Sequence, residues 1–209
     1  MDIQEGYNNW AEQYDSNANK TRDLEAVALK NALAEYRFER CLELGCGTGK
    51  NSTFLVEIAA ELVAVDFSEA MLAKAKAKIQ ADNIQFIQAD ISQPWDFVDG
   101  TFDLVSFSLV LEHFEHLPKI FEKAAAVTNT GSLVYIGELH PFKQYAGSKA
   151  KFDGPEGQQQ VLTCFNHHLS DFTAAAQANG FDILEVNEYF DNNDRSNLPR
   201  ILSILFIKL

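Results

Sequence analysis

Three glycines at alternating positions, Gly45, Gly47 and Gly49, follow directly on the apolar run at residues 41–44, and a segment with helical character begins at residue 50. Glycine tolerates positive φ angles and lets the backbone approach a ligand closely, because it carries no Cβ atom. A strand, a tight glycine turn and a helix in this order are typical of a parallel α/β sheet that binds a nucleotide-type cofactor at the turn. A strand-to-helix turn without a ligand would show the same pattern.

The spacing of the glycines favours one class of cofactor. They follow the pattern G-x-G-x-G, whereas the dinucleotide-binding turn is G-x-G-x-x-G with an acidic residue about 20 positions later. Glu43 stands two positions before the first glycine. A carboxylate there would repel a pyrophosphate and attract a cation. S-adenosylmethionine carries a sulfonium and an ammonium, so the motif favours it over a nicotinamide dinucleotide.

Two more acidic residues follow apolar runs in the same way. Asp66 comes directly after residues 61–65, and Asp90 follows residues 84–89. Because the carboxyl ends of parallel strands meet at one edge of a sheet, we expect both side chains beside the glycine turn. Asp66 could accept hydrogen bonds from two ribose hydroxyls, and Asp90 from an adenine amino group. Either residue alone could equally be a helix N-cap, so the prediction depends on their repetition.

Strand-like and helix-like segments alternate along the 209 residues, which indicates a parallel sheet with helices on both faces. Thr21, Ser68 and Ser170 are suitable N-caps for three of the helices. The length is typical of one domain, which we expect to span residues 1–209. Further strands are expected at residues 101–108, 132–138, 181–190 and 201–209.

Together these motifs resemble the class I S-adenosylmethionine-dependent methyltransferase family, of the kind that acts on small molecules. The resemblance is close over residues 38–140 and looser around residues 7–15 and 180–181. It implies a doubly wound, Rossmann-like sheet of seven strands, mostly parallel, with an antiparallel last strand and helices on both faces. It also implies that S-adenosylmethionine is the cofactor and that the activity is methyl transfer to a small-molecule acceptor.

The resemblance assigns positions of this chain to parts of the cofactor. Residues near the glycine turn would line the methionine end, and residues after the second and third strands would hold the ribose and the adenine. The predicted cofactor-binding residues are Glu43, Gly45, Cys46, Gly47, Asp66, Phe67, Met71, Asp90, Ile91, Ser106, Phe107 and Tyr14. Cys46 is expected to be a small spacer in the turn.

The charge of the chain argues against nucleic acid as a partner. It has 17 basic and 30 acidic residues, a net charge of −13, whereas a nucleic-acid enzyme must neutralise phosphates with Lys and Arg. The small basic group Lys74, Lys76 and Lys78 is better explained as the end of a helix, where cations are favourable.

Membrane association and metal binding are not predicted either. No apolar run approaches the roughly 20 residues that span a bilayer, and residues 1–6 lack the pattern of a secretory signal. The three cysteines are an odd number without metal-ligand spacing, so we expect reduced thiols, a cytoplasmic location and no metal site. The pattern does not indicate an oligomeric state.

Two regions outside the cofactor motifs are expected to hold the acceptor. Aromatic residues in the N-terminal segment, residues 1–20, lie at helical spacing and would either pack on the domain or form a lid over the cofactor. The long insertion at residues 139–168 begins at the end of a predicted strand, where ligands bind. The predicted substrate residues are Tyr7, Trp10, His113, His140, Tyr145 and His168.

If the acceptor must lose a proton, a general base is needed. His140 and His168 are the predicted catalytic residues, and Glu138 and His113 are further possibilities for the base, although a single histidine is often structural. Two other functions remain open from the sequence. One is a non-catalytic protein that binds S-adenosylmethionine, and the other is a nicotinamide-dependent oxidoreductase, which Glu43 and the glycine spacing disfavour.

Overall fold

The computed structural model describes residues 6–8, 11, 14–15, 19–148, 151–153, 159–161 and 164–209. Within these ranges the strands are β1 Phe38–Leu44, β2 Ala59–Asp66, β3 Ile84–Gln88, β4 Phe102–Ser108, β5 Thr128–Leu139, β6 Lys151–Asp153, β7 Gln159–Val161, β8 Phe181–Tyr189 and β9 Ile201–Lys208. The α-helices are α1 Lys20–Leu33, α2 Ser52–Ile58, α3 Glu69–Lys78, α4 Leu117–Ala126, α5 Pro141–Tyr145 and α6 Leu169–Ala178.

Seven strands form one sheet in the order β3-β2-β1-β4-β5-β9-β8. Strands β1 to β5 are mutually parallel, whereas β9 runs antiparallel to both of its neighbours, β5 and β8. The predicted fold class, a mostly parallel doubly wound sheet with an antiparallel last strand, is therefore confirmed. The order reverses between β1 and β4, which places a crevice at the carboxyl ends of these two strands.

Helices cover both faces of the sheet, as the alternation of segments predicted. On one face, α1 and α2 bury apolar residues such as Leu29, Leu33 and Leu55 against β1, β2 and β5. On the other face, α4 and α6 bury residues such as Phe121 and Phe172 against β4, β5 and β9. With both faces closed, the strand ends are the part of the sheet that remains open to a ligand.

Local details of three helices differ in part from the sequence prediction. Helix α1 is capped by Asn19, whose side chain accepts hydrogen bonds from the N–H groups of Thr21 and Arg22, so Thr21 lies inside the helix. The cap at Ser68 is confirmed by its hydrogen bond from the N–H of Met71. Helix α6 begins before Ser170, with His168 at its N-cap position.

The insertion that was expected after β5 contains regular structure of its own. Helix α5 follows β5 directly, and the short strands β6 and β7 pair antiparallel beyond it, apart from the main sheet. In the part of the chain that the structure describes, no helix is both long and apolar enough to cross a bilayer.

Candidate functional site

A cavity of about 610 Å³ lies at the carboxyl ends of β1 to β4. Its walls come from the glycine turn, from the loops after β2, β3 and β4, and from the N-terminal segment. The lining residues are Tyr7, Tyr14, Gly45, Gly47, Asp66, Phe67, Gln88, Ala89, Asp90, Ile91, Ser92, Ser108, Leu109, Val110, His113 and Phe114.

The glycine turn owes its shape to positive φ angles, which are +77° at Gly45 and +54° at Gly47. The N–H groups of Gly45 and Cys46 donate to the carbonyl of Val65 at 2.8 and 3.0 Å. The N–H of Gly47 donates to Asp66 Oδ2 at 2.8 Å. These three N–H groups are hydrogen-bonded to β2. At Gly45 and Gly47 the cavity is therefore lined by backbone that carries no side chain.

Asp66 holds the centre of the site at the end of β2. Its two carboxyl oxygens accept N–H groups on either side, from Gly47 and from Ser68, each at 2.8 Å. Burial raises its pKa to about 6, and the backbone hydrogen bonds oppose that rise. The side chain is thus fixed in direction and stays largely ionised at neutral pH, with lone pairs left to accept hydroxyl protons.

Glu43 lies behind the glycine turn, in the interior of the sheet, and the hydroxyl of Ser52 donates to it. Burial, together with the smaller effects of the charges of Glu25 and Asp66, raises its pKa to about 8, against the lowering effect of the hydrogen bond from Ser52. Glu25 itself is buried in α1, accepts a hydrogen bond from Asn51 Nδ2 at 2.7 Å and has its pKa raised to about 7 by burial. Glu43, predicted to bind the cofactor, therefore lies behind the glycine turn and is not among the residues that line the cavity.

The loop after β3 forms the adenine side proposed from the sequence. Asp90 and Ile91 both line the cavity, and Asp90 Oδ1 accepts the N–H of Ser92 at 2.8 Å. The ammonium of Lys123, on α4, donates to the carbonyls of Ile91, Ser92 and Gln93 at 3.1, 2.7 and 2.8 Å. One lysine thus holds three consecutive carbonyls of this loop, a role that the sequence analysis did not foresee.

The wall after β4 differs from the expectation for Ser106 and Phe107. Both are buried in the sheet, because β4 continues to Ser108 and these positions pack against its neighbours. The cavity is lined instead by Ser108, Leu109 and Val110. The strand was predicted to end at residue 108, so the residues that follow that strand end would have located this wall.

Two other predicted cofactor residues lie in the packed interior. Met71 is fully buried under the N-terminal segment, beside Ala11 and near Tyr7 and Tyr14. Cys46 is buried with Ala64 and Leu72 below the turn, which suits its expected role as a spacer. The predicted residues that do line the cavity are Tyr14, Gly45, Gly47, Asp66, Phe67, Asp90 and Ile91.

The described residues of the N-terminal segment cover the cavity from the opposite side. Asp15 accepts from Thr48 Oγ1 at 2.6 Å and pairs with the ammonium of Lys78 at 2.7 Å. The guanidinium of Arg22 lies 3.8 Å from the centre of the Tyr14 ring. The segment is therefore fastened to the glycine turn, to α3 and to α1. The predicted substrate residue Trp10 lies outside the described residues.

Tyr7 links this segment to the loop after β4. Its hydroxyl is hydrogen-bonded to His113 Nε2 at 2.9 Å, and its ring meets the ring of Phe67 edge-on with centroids 5.8 Å apart. Burial raises the pKa of Tyr7 well above its usual value, so this hydroxyl stays protonated. Tyr7 and His113, both predicted substrate residues, thus meet at the wall of the cavity.

His140, predicted as the general base, has a different environment. Its Nδ1 accepts the N–H of Phe142 at 3.2 Å at the start of α5, and its Nε2 pairs with Glu188 Oε1 at 3.0 Å. Burial lowers the pKa of the imidazole, against the opposing effect of Glu188. Both ring nitrogens therefore contact groups of the fold, in the cap of α5 and in the pair with Glu188, and the role of His140 as the general base stays a prediction.

His168 and Tyr145 also lie apart from the cavity wall. The hydroxyl of Tyr145 is hydrogen-bonded to His168 Nδ1, and both side chains are exposed. The N–H of His168 donates to Asp171 Oδ2 at 2.7 Å at the start of α6. Their contacts tie the insertion to α6, and the catalytic role of His168 stays a prediction.

Comparison with known proteins shows which protein families and proteins this chain is similar to. A sequence family described as "Methyltransferase domain" matches residues 42–136. The chain is 28% identical, over an alignment 225 positions long, to an uncharacterized methyltransferase of Emericella nidulans. The alignment covers 88% of this chain and 77% of that protein. It is 32% identical over 166 residues to the trans-aconitate 2-methyltransferase of Deinococcus radiodurans, covering 71% of this chain and 60% of that protein.

The fold has close counterparts among solved structures. The DhpI–SAM–HEP complex superposes with a TM-score of 0.76 at 22% identity, covering 97% of this chain and 94% of that chain. At this identity the likeness concerns the fold alone. The chain spans less than two thirds of the length of the Deinococcus enzyme, so that enzyme's activity and substrate are not carried over directly.

Proposed function

The chain belongs to the class I S-adenosylmethionine-dependent methyltransferase family, and from this premise we propose that it transfers the methyl group of this cofactor to a small-molecule acceptor. The observation that carries the proposal is that Asp66, the glycine turn, Tyr7 and His113 line one cavity. The relatives named as acting on small molecules, such as the trans-aconitate 2-methyltransferase of Deinococcus radiodurans, support this choice of acceptor.

The residues of the cavity fit the cofactor. A Cβ atom added at Gly47 would meet nothing within 4 Å, so the turn leaves open space into which a ligand could come close to the protein backbone. The volume of about 610 Å³ lies in the range of small-molecule sites, roughly 300–1,000 Å³. Asp66 would hold the ribose hydroxyls, and Asp90 and Ile91 the adenine. Glu43, whose raised pKa keeps it largely protonated at neutral pH without ligand, would be favoured to ionise by the positive charges of the methionine end.

When bound, the cofactor supplies an electrophilic methyl group on its sulfonium. The chain's own residues must then orient the acceptor and exclude water. Tyr7 and Tyr14 come from the N-terminal segment and close one side of the cavity, which supports the lid function of that segment. Because this segment would have to move for ligands to enter, we expect binding and lid closure to be coupled.

His113 is the residue that we assign to the acceptor. It lines the cavity, and its Nε2 is held by the hydroxyl of Tyr7 at 2.9 Å. Since that hydroxyl keeps its proton, it can donate to Nε2 and leave the proton of the imidazole on Nδ1. His113 and Tyr7 together would orient an acceptor hydroxyl, amine or acidic carbon. Where the reaction releases a proton, the Tyr7 hydroxyl would pass its own proton to His113 Nε2 and take up the proton of the acceptor.

The proposal is tested by measuring cofactor binding and methyl transfer in the same preparation. Isothermal titration should detect S-adenosylhomocysteine, and mass spectrometry should detect a mass gain of one methyl group in a panel of small acceptors. Asp66→Ala should weaken S-adenosylhomocysteine binding about 10- to 100-fold, because hydrogen bonds to a charged group contribute about 1.5–3 kcal/mol.

Asp103→Ala is the matched control. Asp103 Oδ2 also accepts two backbone N–H groups, from Glu39 at 3.0 Å and Arg40 at 2.9 Å, but at the amino ends of the strands. The affinity of the Asp103→Ala variant for S-adenosylhomocysteine should equal that of the wild type. An unchanged affinity for Asp66→Ala would refute the ribose assignment, and the absence of methyl transfer despite binding would favour a non-catalytic cofactor-binding protein.

A further inference from the structure

The turn after β4 carries an unusual backbone conformation. Leu109 has a φ of +54°, in the left-handed region that residues with a Cβ atom seldom occupy. Such a residue persists only where its surroundings hold it in place. The N–H of Leu109 donates to the carbonyl of Gly137 on β5 at 2.8 Å, which fixes one side of the turn.

The other side of the turn is held by a single buried carboxyl group. Glu138 Oε1 accepts the N–H of Val110 at 3.0 Å and the N–H of Leu111 at 2.8 Å. Glu138 is only 2% exposed. These two N–H groups start the short 3₁₀ helix Leu111–His113 and would otherwise be buried without acceptors.

The second oxygen of Glu138 indicates its protonation state. Among the described residues, Oε2 is buried and has no hydrogen-bond partner. Burial raises the pKa of this carboxyl well above its usual value, and the nearby acids Glu112 and Glu25 raise it further, against the two backbone hydrogen bonds. An ionised carboxylate here would leave one oxygen charged and unsolvated, so the neutral acid is favoured.

The turn that Glu138 holds contacts the glycine turn and leads into the 3₁₀ helix that carries His113. Val110 lies so close to the glycine turn that a Cβ atom on Gly45 would sit 2.7 Å from Val110 Cγ2. At the other end of the 3₁₀ helix, His113 lines the cavity and bonds Tyr7. A shift of this turn would therefore move the cofactor side and the acceptor side together.

We propose that Glu138 is a positioning residue for methyl transfer, which as a neutral acid clamps the turn at Leu109, Val110 and Leu111 and so sets the distance between the glycine turn and His113. The proposal rests on the proposed function for its catalytic consequence. Glu138 acts through the backbone of the turn, and a catalytic contact with the reacting atoms is not required of it.

The test compares two variants of similar size. Glu138→Gln keeps an accepting oxygen without charge, so it should bind S-adenosylhomocysteine within about twofold of the wild type. Glu138→Met has no acceptor and should bind at least tenfold more weakly. In amide hydrogen exchange, the N–H groups of Val110 and Leu111 should exchange at least tenfold faster in the methionine variant and at the wild-type rate in the glutamine variant.

Once an acceptor is known, kcat in the methionine variant should fall more than the KM for the cofactor rises, because alignment is lost together with binding. The surface substitution Glu122→Met, on α4, serves as the control and should change none of these quantities. If Glu138→Met does not fold, Glu138→Asp replaces it, since the shorter carboxyl cannot reach both N–H groups in the same place.

The outcomes separate this proposal from the proposed function. Wild-type exchange rates and affinity in Glu138→Met, or in its replacement Glu138→Asp, would overturn the clamp. A glutamine variant as impaired as the methionine variant would overturn the role of the neutral acid. If the wild type itself failed to bind S-adenosylhomocysteine, the proposed function would fail, while the exchange rates would still report on the clamp.

Discussion

His113 and His140 differ in the contacts that their ring nitrogens make. His140 uses Nδ1 to cap α5 and Nε2 to pair with Glu188, and it is 5% exposed. His113 has its Nε2 at the hydroxyl of Tyr7, on the wall of the cavity. The contacts of His140 with backbone and with a carboxylate serve stability, whereas His113 and Tyr7 line the cavity that a ligand would enter.

These environments predict opposite effects of substitution. His140→Ala should lower the free energy of unfolding by about 1–2 kcal/mol, because it removes a helix cap and the pair between a buried imidazole and the exposed side chain of Glu188. His113→Ala should reduce turnover about 100-fold or more where the acceptor must lose a proton, with a nearly unchanged Kd for S-adenosylhomocysteine. Denaturant unfolding and initial rates measure the two effects.

His140→Asn is the control for the first variant, since asparagine is also a good N-cap and should recover part of the lost stability. A large loss of turnover in folded His140→Ala would support that residue as the base.

Among the elements, α4 serves the site as a support for the loop after β3. Its Lys123 stabilises three carbonyls that point the same way, at residues 91–93. Burial lowers the pKa of this lysine, and the charge of Asp90 opposes that shift. The loop contains Ile91 and Ser92 of the cavity wall, so a helix on one face of the sheet supports the part of the wall where we propose that the adenine binds.

Removing this ammonium should therefore weaken cofactor binding from a distance. In Lys123→Met the three carbonyls lose their common donor, and we expect the Kd for S-adenosylhomocysteine to rise about 5- to 20-fold, since hydrogen bonds to a charged group contribute about 1.5–3 kcal/mol and water replaces part of them. Isothermal titration measures the change. Lys119→Met, an exposed lysine on the same helix, should bind like the wild type. Equal affinities in both variants would contradict the support role.

At the level of the whole molecule, several carboxyl groups are buried on α1, on β1 and in the 3₁₀ helix after β4. Burial raises the pKa of Glu25 and of Glu112 to about 7 and that of Glu43 to about 8. Each group binds its proton more tightly in the folded than in the unfolded chain, where carboxyl groups titrate near 4. The folded state is thus favoured at low pH, and that advantage is lost as the pH rises through these folded values.

The protein without ligand should accordingly become less stable between pH 6 and pH 8. Over this range one buried carboxyl that keeps its proton only in the folded state changes the free energy of unfolding by about 3 kcal/mol. Thermal unfolding across the range should show a falling Tm, and Glu43→Gln should flatten the fall. Glu57→Gln, at an exposed position, should leave the slope unchanged. A Tm that rises with pH would contradict the assignment.

The sequence by itself determined the order of the elements and the chemistry of the strand ends. Gly45, Gly47, Asp66 and Asp90 could be assigned to one edge of a sheet because parallel strands bring their carboxyl ends together, whatever the details of packing. The antiparallel last strand was implied by the family resemblance that these motifs carry. Local patterns suffice for these features, since a turn, a strand end and an N-cap are each decided by a few neighbouring residues.

Only the tertiary structure decided which side chains share a surface. Glu138 and the turn at Val110 are 28 residues apart, and Tyr7 and His113 are 106 apart. His140 was predicted as a base from its place at a strand end, but Glu188 and the start of α5 occupy both of its ring nitrogens. Such roles depend on contacts between distant segments and on the water that burial removes, and neither is written in the local order of residues.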